Sequence, residues 1–182
     1  MTPLLLEGIP GEATRISGDE AASRRKRSTE EDDPKLREEC GVVAVHGHPD
    51  ASRQAYLALY ALQHRGQESA GIATADGTHL SNIKGMGLVA DIFDPKRLAT
   101  LPGDSAIGHT RYSTAGDTGL MNAQPIVIDC GKGKLAIGHN GNLTNAAEWR
   151  RKLEHRGSIF QTNSDTEVIV HLIARSSARN LS

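Results

Sequence analysis

Aromatic residues are scarce, six in 182, and no apolar run approaches the roughly 20 residues a helix needs to cross a bilayer. The chain is therefore not read as an integral membrane protein. It has only two cysteines, Cys40 and Cys130, whereas a small secreted scaffold would carry four or more in a disulfide framework. A reducing compartment, the cytoplasm, is the expectation. Charge of one sign is also missing: 21 basic residues face 22 acidic ones, for a net charge of -1. No field steers the chain onto nucleic acid or an acidic membrane surface, and neither is expected as a partner. There is no internal repeat.

What is present is unevenly spread. Residues 1–39 hold ten acids and seven bases, with no aromatic and no histidine. Such a stretch lacks the apolar surface to offset its ordering entropy and is read as a disordered leader. Its Leu4-Leu5-Leu6 run is too short for a secretory signal, and acids lie where a positive start belongs. All eight histidines, all six aromatics and 16 of the 19 glycines fall in residues 40–182, the expected folded domain.

Cys40-Gly-Val-Val-Ala-Val45 reads as a buried strand. Ala55, Leu59 and Leu62 recur at helical spacing, with Ser52 as cap and Gly66 as stop. Asp76-Gly77 between two apolar runs is a strong hairpin signal. Ser105–Tyr112 reads as a strand, and residues 125–130 and 134–139 as a second hairpin. Two helices follow, one from Asn145 with Glu148 in a capping-box position and one opened by Ser164-Asp-Thr-Glu167. Hairpins with segregated helices predict an α+β fold, a sheet faced by helices. The last helix has no returning strand after it, so the chain is expected to be cut short at its C-terminus.

The polar clusters sit at strand ends and helix starts. Together they supply an arginine (Arg111), an amide beside a bare glycine N–H (Asn140, Gly141) and a carboxylate (Asp165). A guanidinium holds an α-carboxylate in a bidentate fork, a carboxylate holds an α-ammonium, and two converging N–H donors hold an oxyanion. The set is a receptor for an amino acid. Cys40 supplies the nucleophile in a particular way. Cleavage at Glu39–Cys40 would free an α-amine of reference pKa about 7.7–8.0 on the same residue as a thiol near 8.5, so the base would come with the nucleophile.

Cys40-Gly-Val, Leu62-Gln-His-Arg-Gly-Gln-Glu-Ser-Ala-Gly71, His109-Thr-Arg-Tyr-Ser-Thr114, His139-Asn-Gly-Asn142 and Ser164-Asp-Thr-Glu167, in this order, resemble the N-terminal glutaminase domain of the amidophosphoribosyltransferases, class II glutamine amidotransferases of purine synthesis. Tyr112-Ser-Thr-Ala-Gly116 and Asn122-Ala-Gln-Pro125 favour that family over the glucosamine-phosphate synthase type, the alternative. The resemblance implies an N-terminal-nucleophile hydrolase fold, a four-layer αββα sandwich. It implies that Cys40, freed of a propeptide, attacks the side-chain amide of glutamine to form a thioester. Asn140 and Gly141 would make the oxyanion hole, Arg111 helped by Thr114 would hold the carboxylate, and Asp165 the ammonium. Family members pass the ammonia to a phosphoribosyltransferase domain that uses phosphoribosyl pyrophosphate, and they form homo-oligomers. Their magnesium and, in some, an iron–sulfur cluster lie in that domain. Its signature is absent from this sequence, so no cofactor is expected in this chain. A competing expectation is a truncated, non-catalytic chain that at most binds glutamine.

Plainer roles compete for individual residues. Arg111 and Asp165 could simply pair with each other. His109 and His139 read as loop braces. His46-Gly-His48 reads as a solvated loop, not a metal pair. Gly85-Met-Gly-Leu-Val-Ala90 is a weak dinucleotide fingerprint, because Pro95 interrupts the helix that should follow.

Overall fold

The computed structural model describes residues 40–112 and 119–178; the expected leader and Thr114 lie outside the described residues. The compact unit spans Glu38–Ser182. It opens with β1 (Gly41–Val45) and α1 (Ala51–Ala61), followed by a 3-10 turn over Gln63–Arg65. Ala51, Ala55 and Leu59, each four residues apart, are fully buried. This small-residue stripe lets the helix lie close on a sheet. The helix begins one residue before the expected Ser52 cap, and Asp50 at its N-cap makes no side-chain capping bond.

The hairpin signalled by Asp76-Gly77 is present: β2 (Ser69–Ala75) and β3 (Leu80–Met86) pair antiparallel from Ser69↔Met86 to Ala75↔Leu80. Its loop is held by Asp76 Oδ1, which accepts from the backbone N–H of Thr78 at 2.8 Å and of His79 at 2.6 Å. These bonds hold the Asp76 carboxyl well below the usual carboxylate range. Two single-turn helices that the sequence reading missed come next, α2 (Val89–Ile92) and α3 (Pro95–Leu98). Pro95 starts a helix here instead of breaking one. It occupies the first turn, where its missing N–H costs nothing, and Asp94 caps that turn by accepting from Arg97 N at 2.8 Å. The four-residue α2 is too short for a dinucleotide-binding helix, in keeping with the weak Gly85–Ala90 fingerprint.

β4 (Ser105–Arg111) inserts between β1 and β2, giving a four-stranded antiparallel sheet in the order β1-β4-β2-β3. After a 3-10 turn at Leu120–Asn122, β5 (Ile126–Cys130) and β6 (Gly133–Ile137) form a separate antiparallel pair. The chain continues through α4 (Ala146–Glu154) and α5 (Thr166–Arg175). One face of the larger sheet carries α1, with Leu59, Ile72, Val89, Ile92 and Phe93 in the core between them. Toward the other face lie β5–β6, with α5 against β5 and α4 against α5. The order is helix, sheet, sheet, helix, the expected four layers.

The two predicted capping boxes are not formed as boxes. Asn145 caps nothing with its side chain, and Glu148 pairs instead with Lys152 Nζ at 2.5 Å, four residues on. Ser164 Oγ does accept from Thr166 N at 3.2 Å. Glu167, however, reaches past Ser164 to the N–H groups of Gln161 at 2.8 Å and Thr162 at 2.7 Å. The carboxylate thereby folds the preceding loop back onto the helix start.

Gly71 shows how tightly the layers approach. A Cβ there would lie 2.3 Å from the carbonyl oxygen of Gln124 and 2.9 Å from Pro125 Cδ. A backbone oxygen on one side, with the Pro125 ring and Lys84 Cβ beside it, leaves little room to give. Gly71→Ala is expected to cost about 1–3 kcal/mol through overpacking, read as a lowered urea midpoint at unchanged slope.

Candidate active site

Antiparallel register builds the site. In β1–β4, Gly41 sits opposite Thr110, and in β2–β4, Ser69 sits opposite Arg111. Side chains alternate between faces along a strand, so His109 and Arg111 project from β4 away from α1. Cys40, just ahead of β1, lies beside the end of β4. Its Sγ accepts from the backbone N–H of Tyr112 at 3.4 Å and lies 3.7 Å from the Tyr112 carbonyl oxygen. Gly41 N donates to Thr110 Oγ1 at 3.2 Å and fixes the strand entry.

The loop after β6 brings one expected donor to Cys40 across 100 residues: Asn140 Nδ2 donates to the Cys40 carbonyl oxygen at 2.6 Å. A second donor converges there, since Arg65 Nε reaches the same oxygen at 3.4 Å. Arg65 was assigned no role from sequence, although it lies inside the Gln63-His-Arg-Gly66 block. Gly141, next to Asn140, has φ +157°, and a Cβ on it would stand 3.0 Å from His139 Nε2. Lacking a side chain, it leaves its backbone uncovered.

That loop is braced from below. His109 is fully buried, and its Nε2 bonds to the His139 carbonyl oxygen at 3.1 Å. The carbonyl requires a proton on Nε2, which leaves Nδ1 without a partner among the described residues. Burial pushes the imidazole pKa down to about 4, with smaller contributions from Arg111 and His139. His109 is therefore neutral near pH 7. An unfolded histidine takes its proton near pH 6.5, so folding stability from this residue is complete above that value and declines as pH falls toward 4, by up to about 3 kcal/mol. Urea titrations at pH 7.5 and 4.5 are expected to show a smaller acid loss for His109→Gln than for the parent chain.

Asp165 stands just ahead of α5. Its Oδ2 accepts from the Leu143 backbone N–H at 2.6 Å, and Oδ1 lies 3.9 Å from His139 Nδ1. Gln124 completes the brace by accepting from His139 N at 2.7 Å and contacting Thr166 Oγ1 at 3.4 Å. Arg111 does not pair with Asp165. Its Nη1 lies 3.7 Å from Glu68 Oε1, with 19% and 13% of the two side chains exposed. The simple Arg111–Asp165 salt bridge is thus replaced by Arg111–Glu68, and Asp165 belongs to the 139–143 loop. The loop-bracing reading of His109 and His139 matches these contacts.

Among the described residues no group of three or more His, Cys, Asp or Glu could hold a metal ion. His46 bonds Ser105 Oγ at 2.8 Å and His48 accepts from Asp50 N at 3.0 Å, both at the surface. Cys130 is a free thiol whose Sγ contacts Gly133 O at 3.4 Å within its own turn. Two free cysteines on separate elements do not fit an iron–sulfur cluster. No helix among the described residues is long and apolar enough to cross a membrane.

A two-sheet sandwich with a cysteine at the strand end, near an amide and a bare glycine, fits the class that comparison with known proteins gives: an N-terminal-nucleophile hydrolase fold with a glutamine amidotransferase domain. The family described as glutamine amidotransferase domain matches residues 96–182. The chain is 56% identical over 149 residues to amidophosphoribosyltransferase 3, chloroplastic, of Arabidopsis thaliana, covering 82% of this chain and 28% of that protein. It is 51% identical over 142 residues to the amidophosphoribosyltransferase of Bacillus subtilis, covering 78% and 30%. The solved structure of the B. subtilis glutamine phosphoribosylpyrophosphate amidotransferase with ADP and GMP superimposes with TM-score 0.70 at 47% identity, covering 75% of this chain and 30% of that one. A solved structure of the allosteric regulatory enzyme of purine biosynthesis gives TM-score 0.72 at 48% identity with the same coverage. The chain carries a glutamine amidotransferase domain and is similar over 82% and 78% of its length to these two amidophosphoribosyltransferases. It spans under a third of the length of these relatives.

Proposed function

We propose that this chain is the glutamine-hydrolysing, ammonia-generating part of an amidophosphoribosyltransferase. The observation that carries the reading is the convergence of Asn140 Nδ2 and Arg65 Nε on Cys40 from distant parts of the chain. Once Cys40 is released at Glu39–Cys40, its α-amine takes the thiol proton and the sulfur attacks the side-chain amide carbon of glutamine. An amide nitrogen carries two N–H groups. One from Asn140 stays on the Cys40 carbonyl, while the other joins the Gly141 N–H on the developing oxyanion. The proton returns to the leaving nitrogen, ammonia departs, and water opens the thioester to give glutamate. Arg111, with Thr114, holds the substrate carboxylate and Asp165 its ammonium.

In the whole protein the ammonia reaches a phosphoribosyltransferase portion and converts phosphoribosyl pyrophosphate to phosphoribosylamine and pyrophosphate, the entry step of purine synthesis. Magnesium and any iron–sulfur cluster belong to that portion, as does assembly into homo-oligomers. We assign the cytoplasm as the compartment, although several plant relatives bear the word chloroplastic in their names. The test is the intact mass of the purified chain after exposure to an electrophilic glutamine analogue. A chain that begins at Cys40 and carries one adduct is the expected result. An unlabelled chain that still begins at Met1 would overturn the reading.

A further inference from the structure

Four polar atoms at the junction of β2 and β4 are buried and have no hydrogen-bond partner among the described residues: both carboxylate oxygens of Glu68, Ser69 Oγ and Arg111 Nη1. Native interiors leave few such groups unpaired, and each calls for an explanation. Here they are gathered together. Ser69 is opposite Arg111 in the β2–β4 register, and the Glu68 backbone N–H donates to the Arg111 carbonyl oxygen at 3.1 Å. Glu68 Oε1 is 3.7 Å from Arg111 Nη1, close enough for charge to act but too long for a hydrogen bond. A buried carboxylate without hydrogen bonds is costly unless a charge compensates it, and Arg111 is the cation it faces.

This pairing constrains Arg111 without using up its donors. Because no hydrogen bond among the described residues saturates the guanidinium, its N–H fork remains available to an incoming carboxylate. Glu68 sits in the bend just ahead of β2 and is tied down there as well, with Gly87 N donating to its carbonyl oxygen at 2.8 Å. Glu68 is therefore a fixed anion on a fixed backbone, beside a long and otherwise mobile side chain. Supporting charges of this kind hold a functional group in its productive geometry.

We propose that Glu68 is the positioning residue for Arg111 and sets the domain's selectivity for substrates that carry a free α-carboxylate. The inference rests on the glutaminase reading, in which Arg111 meets that carboxylate. Without the Glu68 charge, the guanidinium swings toward solvent, and the advantage of glutamine over the same molecule with its carboxylate masked as an amide shrinks. A merely structural role would lower activity on both substrates alike.

The test compares kcat/KM for L-glutamine and for L-glutaminamide, on the full chain after cleavage ahead of Cys40, in the parent, Glu68→Gln and Glu68→Asp. In Glu68→Gln the glutamine-over-glutaminamide preference is expected to fall about tenfold. The fall comes from a raised KM for glutamine, with kcat within twofold of the parent. Glu68→Asp keeps the charge and is expected to recover the preference to within about threefold, which also answers the case in which the Gln variant folds poorly. A preference unchanged in Glu68→Gln, or lost equally in Glu68→Asp, overturns the role of Glu68 while leaving the glutaminase reading intact. A parent chain that hydrolyses neither compound overturns that reading, and this inference with it.

Discussion

Cys40→Ser is expected to lower glutamine hydrolysis by on the order of 10⁴-fold or more, as loss of a nucleophile does where nucleophile and base act as a unit. The reason is one of matching. An α-amine of pKa about 7.7–8.0 can draw the proton from a thiol near 8.5, but not from a hydroxyl, which is far less acidic. The change alters one atom, and the Sγ contacts it replaces, 3.4 and 3.7 Å to the Tyr112 backbone, are weak. The serine protein is therefore expected to unfold within about 0.5 kcal/mol of the parent while taking up no electrophilic glutamine analogue. Steady-state ammonia release and intact mass read the two effects separately. Undiminished hydrolysis in Cys40→Ser would rule out the thioester.

Asn140→Ala is expected to reduce kcat by about 10²–10³-fold, equivalent to roughly 3–4 kcal/mol of transition-state stabilisation, with a much smaller effect on KM. The split follows from where charge develops: the ground-state amide oxygen is neutral, and the donor matters most once the carbonyl becomes tetrahedral. Asn140 also ties the 139–142 loop to the Cys40 carbonyl. Asn140→Asp, similar in shape, would place an anion beside the oxyanion and is expected to be at least as inactive. A kcat within fivefold of the parent in both variants would remove Asn140 from the mechanism.

Which parts of the molecule were readable in the sequence follows from the range of the forces involved. The β2–β3 hairpin was legible because Asp76-Gly77 encodes its turn locally, and α1 because Ala55 and Leu59 keep helical spacing, although Leu62, read with them, lies just past the helix end and Ala51 was not singled out. Helices α2 and α3 were not, since four residues carry no periodicity and Pro95 reads equally as a stop or a start. The capping signals marked where helices α4 and α5 start, but the boxes they predicted did not form. Glu167 serves Gln161 and Thr162 because a loop folds back onto it, and Glu148 serves Lys152 because it lies one turn away on the same surface. At the site, Cys40, Asn140 and Asp165 were marked by their blocks, and so was Arg111, but its ion pair was not. Sequence offered an Arg111–Asp165 pair only as the plainer alternative; β-register supplies Glu68 as the partner, a choice fixed by pairing over more than forty residues. Thr114 lies outside the described residues. Arg65 sits in a block rich in polar groups, and nothing in the linear order says which of them turns toward Cys40.

The separation between Cys40 and the residues that complete its surroundings also has a consequence in time. Thr110 and Tyr112 follow it by about 70 residues and Asn140 by 100. At the usual pace of about 5–20 residues per second, a ribosome makes the thiol roughly 5–20 s before it makes the Asn140 amide that the proposed mechanism puts on the oxyanion. During that interval Cys40 is an ordinary cysteine on a growing chain, with neither oxyanion donor yet made. Reactivity then arrives only when β4 has slotted between its neighbours and the loop after β6 has closed over the strand end. On the proposed mechanism, the nascent polypeptide thus carries the Cys40 thiol through synthesis in a dormant form, and it is armed only when the topology is complete and the chain is cleaved ahead of Cys40.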